Sequence, residues 1–120
     1  DDAQTKSTIH DIYEQYSYTC DTHTAVAVKV YRDYKAETND PTKTVIASTA
    51  SPYKFSKAVL EAIQKKQSDI SEYDMIDKLA ELSNMPVPSA LADLKTKSER
   101  FNDAIDRDEQ KNYVLNGLGI

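Results

Sequence analysis

Two short clusters of side chains in this sequence have the types and spacing to do chemistry. One is the hydroxyl run Ser48-Thr49-Ala50-Ser51, which follows the apolar stretch Val45-Ile46-Ala47 and runs into Pro52. The other is Cys20-Asp21-Thr22-His23-Thr24, with a thiol, a carboxylate, an imidazole and hydroxyls inside five residues. As hydrolase nucleophiles, Ser48, Thr49 and Ser51 lack the Gly-x-Ser-x-Gly elbow that exposes such a group between strand and helix. As a metal site, Cys20, Asp21 and His23 have only His10 as a further histidine and no second cysteine. The usual ligands therefore cannot close a zinc set. No catalytic residue and no metal ligand is assigned. What remains is hydrogen bonding: hydroxyls placed to meet a ligand or the nearby backbone, and a helix start able to meet an anion.

The elements that would position these groups follow from pattern. Residues 43–49 read as a central strand: apolar, β-branched and without alternation, as expected of a strand covered on both faces. Pro52 ends any pairing. Helical spacing then begins, with Phe55, Ala58, Val59, Ala62 and Ile63 on one face of a helix reaching about Gln67. In an open parallel sheet, ligands bind beyond the carboxyl ends of the strands, and Ser48, Thr49 and Ser51 occupy such an end. Ser48 points to the opposite face from Thr49 and is read as structural.

Upstream, Asp1 or Asp2 caps a first helix to about Tyr16, with Ile9, Ile12, Tyr13 and Tyr16 as its buried stripe. Asp21 caps a second, about Thr22 to Lys35, that is apolar on several sides and so expected inside a larger body. His23 and Thr24 lie in its first turn. A local network fixing that turn is favoured there over anion binding. Tyr13, Tyr16, Tyr31 and Tyr34 are read as core residues with a polar tip. Downstream, Ser71 through Asp74 form a capping box for a helix to about Ser83, lined by Met75, Ile76, Leu79 and Leu82. Pro88 or Ser89 starts a short helix with Leu91 and Leu94 inward. A last helix starts near Asp106 and ends with Gly117 as the residue after its cap. The expected fold is thus α/β in an intact enzyme, and in this chain mostly α-helical, with one central strand (about 43–49) and five or six helices. Residues 1–67 would form a helix-helix-strand-helix core and 68–120 a helical tail.

A lone strand leaves N–H and C=O groups unpaired on both edges. Helix, helix, strand is the back half of a unit whose first strand is missing. The chain is therefore expected to belong to a larger sheet. Studied alone, its simplest partner would be the same strand of a second copy, a homodimer. The 120 residues are enough for one domain. Net charge is −5 with no basic stripe, which disfavours nucleic acid. No apolar run approaches the ~20 residues of a membrane helix, so no membrane is expected as a partner. The single cysteine fits a reducing compartment, and a cytoplasmic location is expected. Both glycines, Gly117 and Gly119, lie at the far C-terminus. No glycine-rich turn can bring backbone N–H groups to a phosphate, so any such cradle is expected on chain outside these residues.

The two clusters carry a resemblance. Residues 18–27, Tyr-Thr-Cys-Asp-Thr-His-Thr-Ala-Val-Ala, resemble an Asp-Pro-His-Thr-Ala motif, and Val45 through Phe55 resemble an Ala-Thr-Ala-His-Pro-x-Lys-Phe motif. Both belong to threonine synthase of the bacterial and fungal type, a pyridoxal-phosphate enzyme of the tryptophan-synthase-β fold group. The resemblance covers essentially the whole chain and the C-terminal part of the enzyme. Thr22 replaces the usual Pro, which a first helical position tolerates. Ser51 replaces a frequent His, and Phe101 stands where members often have His. The resemblance implies a reaction in which O-phosphohomoserine loses phosphate by β,γ-elimination and takes up water to give threonine. It places the Schiff-base lysine and the phosphate loop earlier in the enzyme, so no lysine here takes that role and the chain alone is expected to be inactive. It implies one cofactor contact here: Thr49 as hydroxyl partner of the pyridine nitrogen of pyridoxal 5'-phosphate. The implied partners are the rest of the threonine synthase chain and, for the intact enzyme, O-phosphohomoserine. The competing reading is a non-catalytic helical protein-interaction module.

Overall fold

The computed structural model describes residues 1–120. Asp1 starts α1 (Asp2–Tyr16) with a reciprocal cap: its carboxylate accepts the Gln4 N–H at 2.9 Å, and the Gln4 side chain accepts from the Asp1 amine at 3.0 Å. The expected stripe buries Ile9 and Ile12, and the Tyr13 hydroxyl donates to the Leu82 carbonyl at 3.0 Å. Tyr16, one turn on, overshoots the core and is exposed. Ser17, at φ 52°, turns the chain out of the helix.

After a short turn, α2 (Thr22–Thr38) runs three residues past the expected Lys35 and stops at Asn39, again left-handed. Thr24 and Ala25 are its buried residues. Val26, Val30 and Tyr34 recur at i, i+4, i+8 and face outward, Val30 at 62% exposure. Tyr34 is therefore not a core residue in this chain; its hydroxyl donates to Asp40 at 2.8 Å.

A 3₁₀ turn, Pro52–Phe55, leads into α3 (Ser56–Gln64). Ser51 caps the turn by accepting the Tyr53 N–H at 3.3 Å, and Pro52 sits where no N–H is required. Helix α3 packs between α1 and α4 (Glu72–Ser83) and buries Val59, Leu60, Ala62 and Ile63. On α4, Ser71 accepts the Asp74 N–H at 3.2 Å and donates to the Asp74 carboxylate at 2.7 Å. Met75, Ile76 and Leu79 face inward as the spacing requires. Ile9, Ile12, Cys20, Ala25, Tyr53, Val59, Ala62, Ile63, Ile76 and Leu79 form one core. The Tyr53 hydroxyl donates to the Met85 carbonyl at 2.5 Å and so ties the 3₁₀ turn to the end of α4.

Beyond it lie α5 (Ser89–Ala92), whose Leu91 packs on the core while Leu94 does not, and α6 (Gln110–Leu118). Gly117 lies inside α6. Gly119, at φ 74°, ends the helix in the role expected of Gly117. Tyr113, Val114 and Leu118 are exposed. No helix is long and apolar enough to cross a membrane.

The expected central strand is overturned. The fold is six α-helices with 3₁₀ turns, and residues 43–49 form no strand. No backbone group of residues 43–50 makes a backbone hydrogen bond, and Val45 is 95% exposed. The cause is the one that made the strand look incomplete. A strand is defined by a neighbour that accepts from its N–H groups and donates to its C=O groups, and these 120 residues contain no strand to play that part. The apolar run records a preference for burial, which here goes unmet.

Candidate functional site

The site is built at the start of α2. Thr19, Cys20 and Asp21 are buried in the turn that joins α1 to α2. The Asp21 side chain has no exposed surface and is the cap expected from sequence. Its Oδ1 accepts the N–H of His23 at 2.8 Å and of Thr24 at 3.4 Å. The His23 ring nitrogen Nδ1 lies 3.1 Å from the same oxygen and must carry the proton, because a carboxylate only accepts. The other oxygen, Oδ2, accepts the Thr24 hydroxyl.

That last bond sets the direction of those beyond it. Thr24 has one hydroxyl proton and gives it to the carboxylate, so it must accept from Ser48, whose Oγ lies 2.9 Å away. Ser48 in turn accepts from the Tyr18 hydroxyl at 3.4 Å. The chain of hydroxyls therefore runs Tyr18 to Ser48 to Thr24 to Asp21. Such chains polarise one another when they end on a charge. The relay joins the two clusters read from sequence, which lie on separate elements.

Burial pushes the Asp21 carboxyl toward protonation. The Thr24 hydroxyl, the backbone N–H groups of His23 and Thr24 and the His23 ring outweigh burial, and its pKa is lowered. A carboxylate with a lowered folded pKa stabilises the fold at full strength above its unfolded pKa and loses that contribution as pH falls through the folded value. Wild type should therefore exceed Asp21→Asn in unfolding free energy at neutral pH, and the gap should close in acid. Denaturant titrations at several pH values check this; a gap independent of pH would contradict it. Burial and the neighbouring Asp21 charge push the Cys20 thiol up to about 11, so it stays protonated at neutral pH and serves as core.

The remaining candidates fall around this network. The His23 ring centroid lies 5.2 Å from that of Phe55, and the Lys54 ammonium lies over the Phe55 ring, 5.5 Å from its centroid. Thr22, His23 and Val26 line an open groove of about 700 Å³ that α1 closes with Asp2 and Lys6 and α3 with Ala58. Thr49 is exposed. The bonds on either side of it use Ser48 and Ser51, which leaves its own hydroxyl to solvent. Ser51 is a helix cap. His23 and Thr24 take part in the local network rather than presenting free N–H groups to an anion, since the Asp21 carboxylate already occupies that place. Sequence reasoning missed Tyr18 and the Ser48–Thr24 bond. No short motif signals that bond, because Thr24 and Ser48 lie 24 residues apart in the chain.

The family description "Threonine synthase, C-terminal" matches residues 24–114. The chain belongs to this family. The match contains Thr24, Ser48 and Thr49, and begins three residues after Asp21. Membership in the threonine synthase C-terminal family places the chain in an enzyme lineage of threonine biosynthesis. It also gives the two clusters a common context: both lie in or beside one family segment, and the hydroxyl relay holds them together.

Proposed function

We propose that this chain is the C-terminal part of a pyridoxal-phosphate-dependent threonine synthase, a lyase that converts O-phosphohomoserine and water to threonine and phosphate. In that reading Thr49 is its contact with the pyridine nitrogen. The observation that carries this is Thr49 itself: an exposed hydroxyl with both neighbouring serines committed elsewhere, inside the matched segment.

When bound, pyridoxal phosphate supplies the electron sink for elimination and water addition. The residues present fit one edge of it. A threonine hydroxyl can donate to a ring nitrogen that carries no proton, whereas a carboxylate in that place would hold the nitrogen protonated. The choice of Thr49 thus moderates how strongly electrons are drawn toward that nitrogen. No glycine-rich turn is available for the cofactor phosphate, since Gly117 and Gly119 sit at the end of α6. The phosphate loop and the lysine are therefore assigned to the rest of the polypeptide, as is recognition of O-phosphohomoserine. The outward stripe Val26, Val30 and Tyr34 of α2 is the face we assign to contact with that remainder. The chain alone is expected to be inactive.

Thr49→Val in the full-length polypeptide tests the assignment. Loss of one buried hydrogen bond of about 1–3 kcal/mol should weaken cofactor binding roughly 5- to 150-fold, with turnover lowered. Cofactor titration followed by absorbance reads the first and product release the second. Affinity and turnover both at wild-type values would contradict it.

A further inference from the structure

Of residues 43–50, only Ser48 makes hydrogen bonds to the helical body. Their backbone groups bond to nothing in the backbone, and Thr44 bonds only to the Thr42 carbonyl. Ser48 alone reaches out, to Thr24 at 2.9 Å and Tyr18 at 3.4 Å. Those partners lie at and just before the start of α2, and the bonds end on a fully buried carboxylate. Ser51, three residues on, is fixed as the cap of the next turn. Thr49 lies between these two anchors.

We propose that Asp21, acting through Thr24 and Ser48, is the positioning group for Thr49, fixing by this polarised relay where the Thr49 hydroxyl is presented. The inference rests on the cofactor reading above for its purpose but not for its geometry. A carboxylate cannot donate, so the protons of Thr24 and then Ser48 all point toward Asp21. Ser48 is thereby held with its side chain turned to α2. With Ser48 bonded to α2 and Ser51 bonded as the cap of the next turn, the backbone that carries Thr49 is held at both ends. Without the relay, the segment has no other polar attachment to stop it from rotating. Asp21, Thr24 and Ser48 are positioning residues; none of them touches the cofactor.

The test uses the full-length polypeptide with threonine methyls labelled, first without cofactor. Methyl relaxation at residue 49 should show restricted motion in the wild type. Ser48→Ala, an exposed position that leaves the core intact, should free it, and Thr24→Val should do the same. Thr24→Ser keeps the hydroxyl and should restore the wild-type value. With pyridoxal phosphate added, Ser48→Ala should weaken binding several-fold, and the Ser48→Ala/Thr49→Val double variant should be no weaker than Thr49→Val alone, because Ser48 acts through Thr49. Residue 49 staying equally restricted in Ser48→Ala and Thr24→Val would overturn the inference, as would full additivity of the two substitutions. Freed motion at residue 49, with Thr49→Val leaving cofactor affinity unchanged, would uphold the positioning and refute the cofactor contact.

Discussion

Truncation of Leu79 to alanine should cost the fold about 2–5 kcal/mol, the range for removing a buried leucine where neighbours cannot close the gap. Leu79 is fully buried on α4, in the cluster that includes Val59, Ala62 and Ile63 of α3. Helix α3 is held on its other side by α1, whose Ile9 and Ile12 belong to the same cluster. Relaxation of α3 toward the cavity would therefore pull it away from α1. The core contains ten residues for 120 in the chain. Domains are stable by only about 5–15 kcal/mol, so this one change should remove a large share of the total. Denaturant unfolding followed by circular dichroism reads it as a fall in midpoint. Leu94→Ala, at an exposed position outside that core, serves as control and should change stability by less than about 0.5 kcal/mol. Equal effects at the two positions would contradict the packing described here.

Asp21→Ala should cost about 2–4 kcal/mol, the sum of a lost helix cap and lost hydrogen bonds to a charged group. The substitution leaves the N–H groups of His23 and Thr24 and the buried Thr24 hydroxyl without their acceptor. Asp21→Asn separates the two contributions. Its carbonyl oxygen can still cap the two N–H groups, but the amide would face Thr24 with a donor and force that hydroxyl to accept. The Thr24 proton, no longer taken by a carboxylate, would then turn to Ser48, so that bond would survive with its direction reversed. Asparagine should therefore retain about half of the stability and keep Ser48 bonded, while the relay no longer ends on a charge. Thermal or denaturant unfolding of both variants gives the order wild type, Asn, Ala. Alanine and asparagine variants as stable as wild type would show that Asp21 is an ordinary surface cap.

What the sequence conveyed well is local. Asp1, Asp21 and Ser71 were legible as caps because each satisfies N–H groups two or three residues away, using its own side chain. The inward faces of α1, α3 and α4 followed from 3.6-residue spacing. What failed depended on partners elsewhere. Residues 43–49 have the composition of a buried strand, yet strand structure needs a second chain segment beside it, and none is present. The apolar sides of α2 exceed what this chain covers, and Val26, Val30 and Tyr34 face outward. Gly117 and Gly119 differ by two positions, and only the backbone angle tells which ends α6. The relay was invisible for a similar reason. Tyr18, Thr24 and Ser48 are brought together by the turn before α2 and by the run into α3, a separation no short motif encodes.

The proposed cofactor contact joins the Thr49 hydroxyl to the nitrogen of a pyridine ring. The most direct measurement is the ¹⁵N chemical shift of ring-labelled pyridoxal phosphate bound to the full-length polypeptide, in wild type and in Thr49→Val. The wild type should show a shift typical of an unprotonated nitrogen accepting a hydrogen bond, moving toward that of a nitrogen without a donor in Thr49→Val. A shift typical of a protonated nitrogen, or one identical in the two proteins, would contradict it.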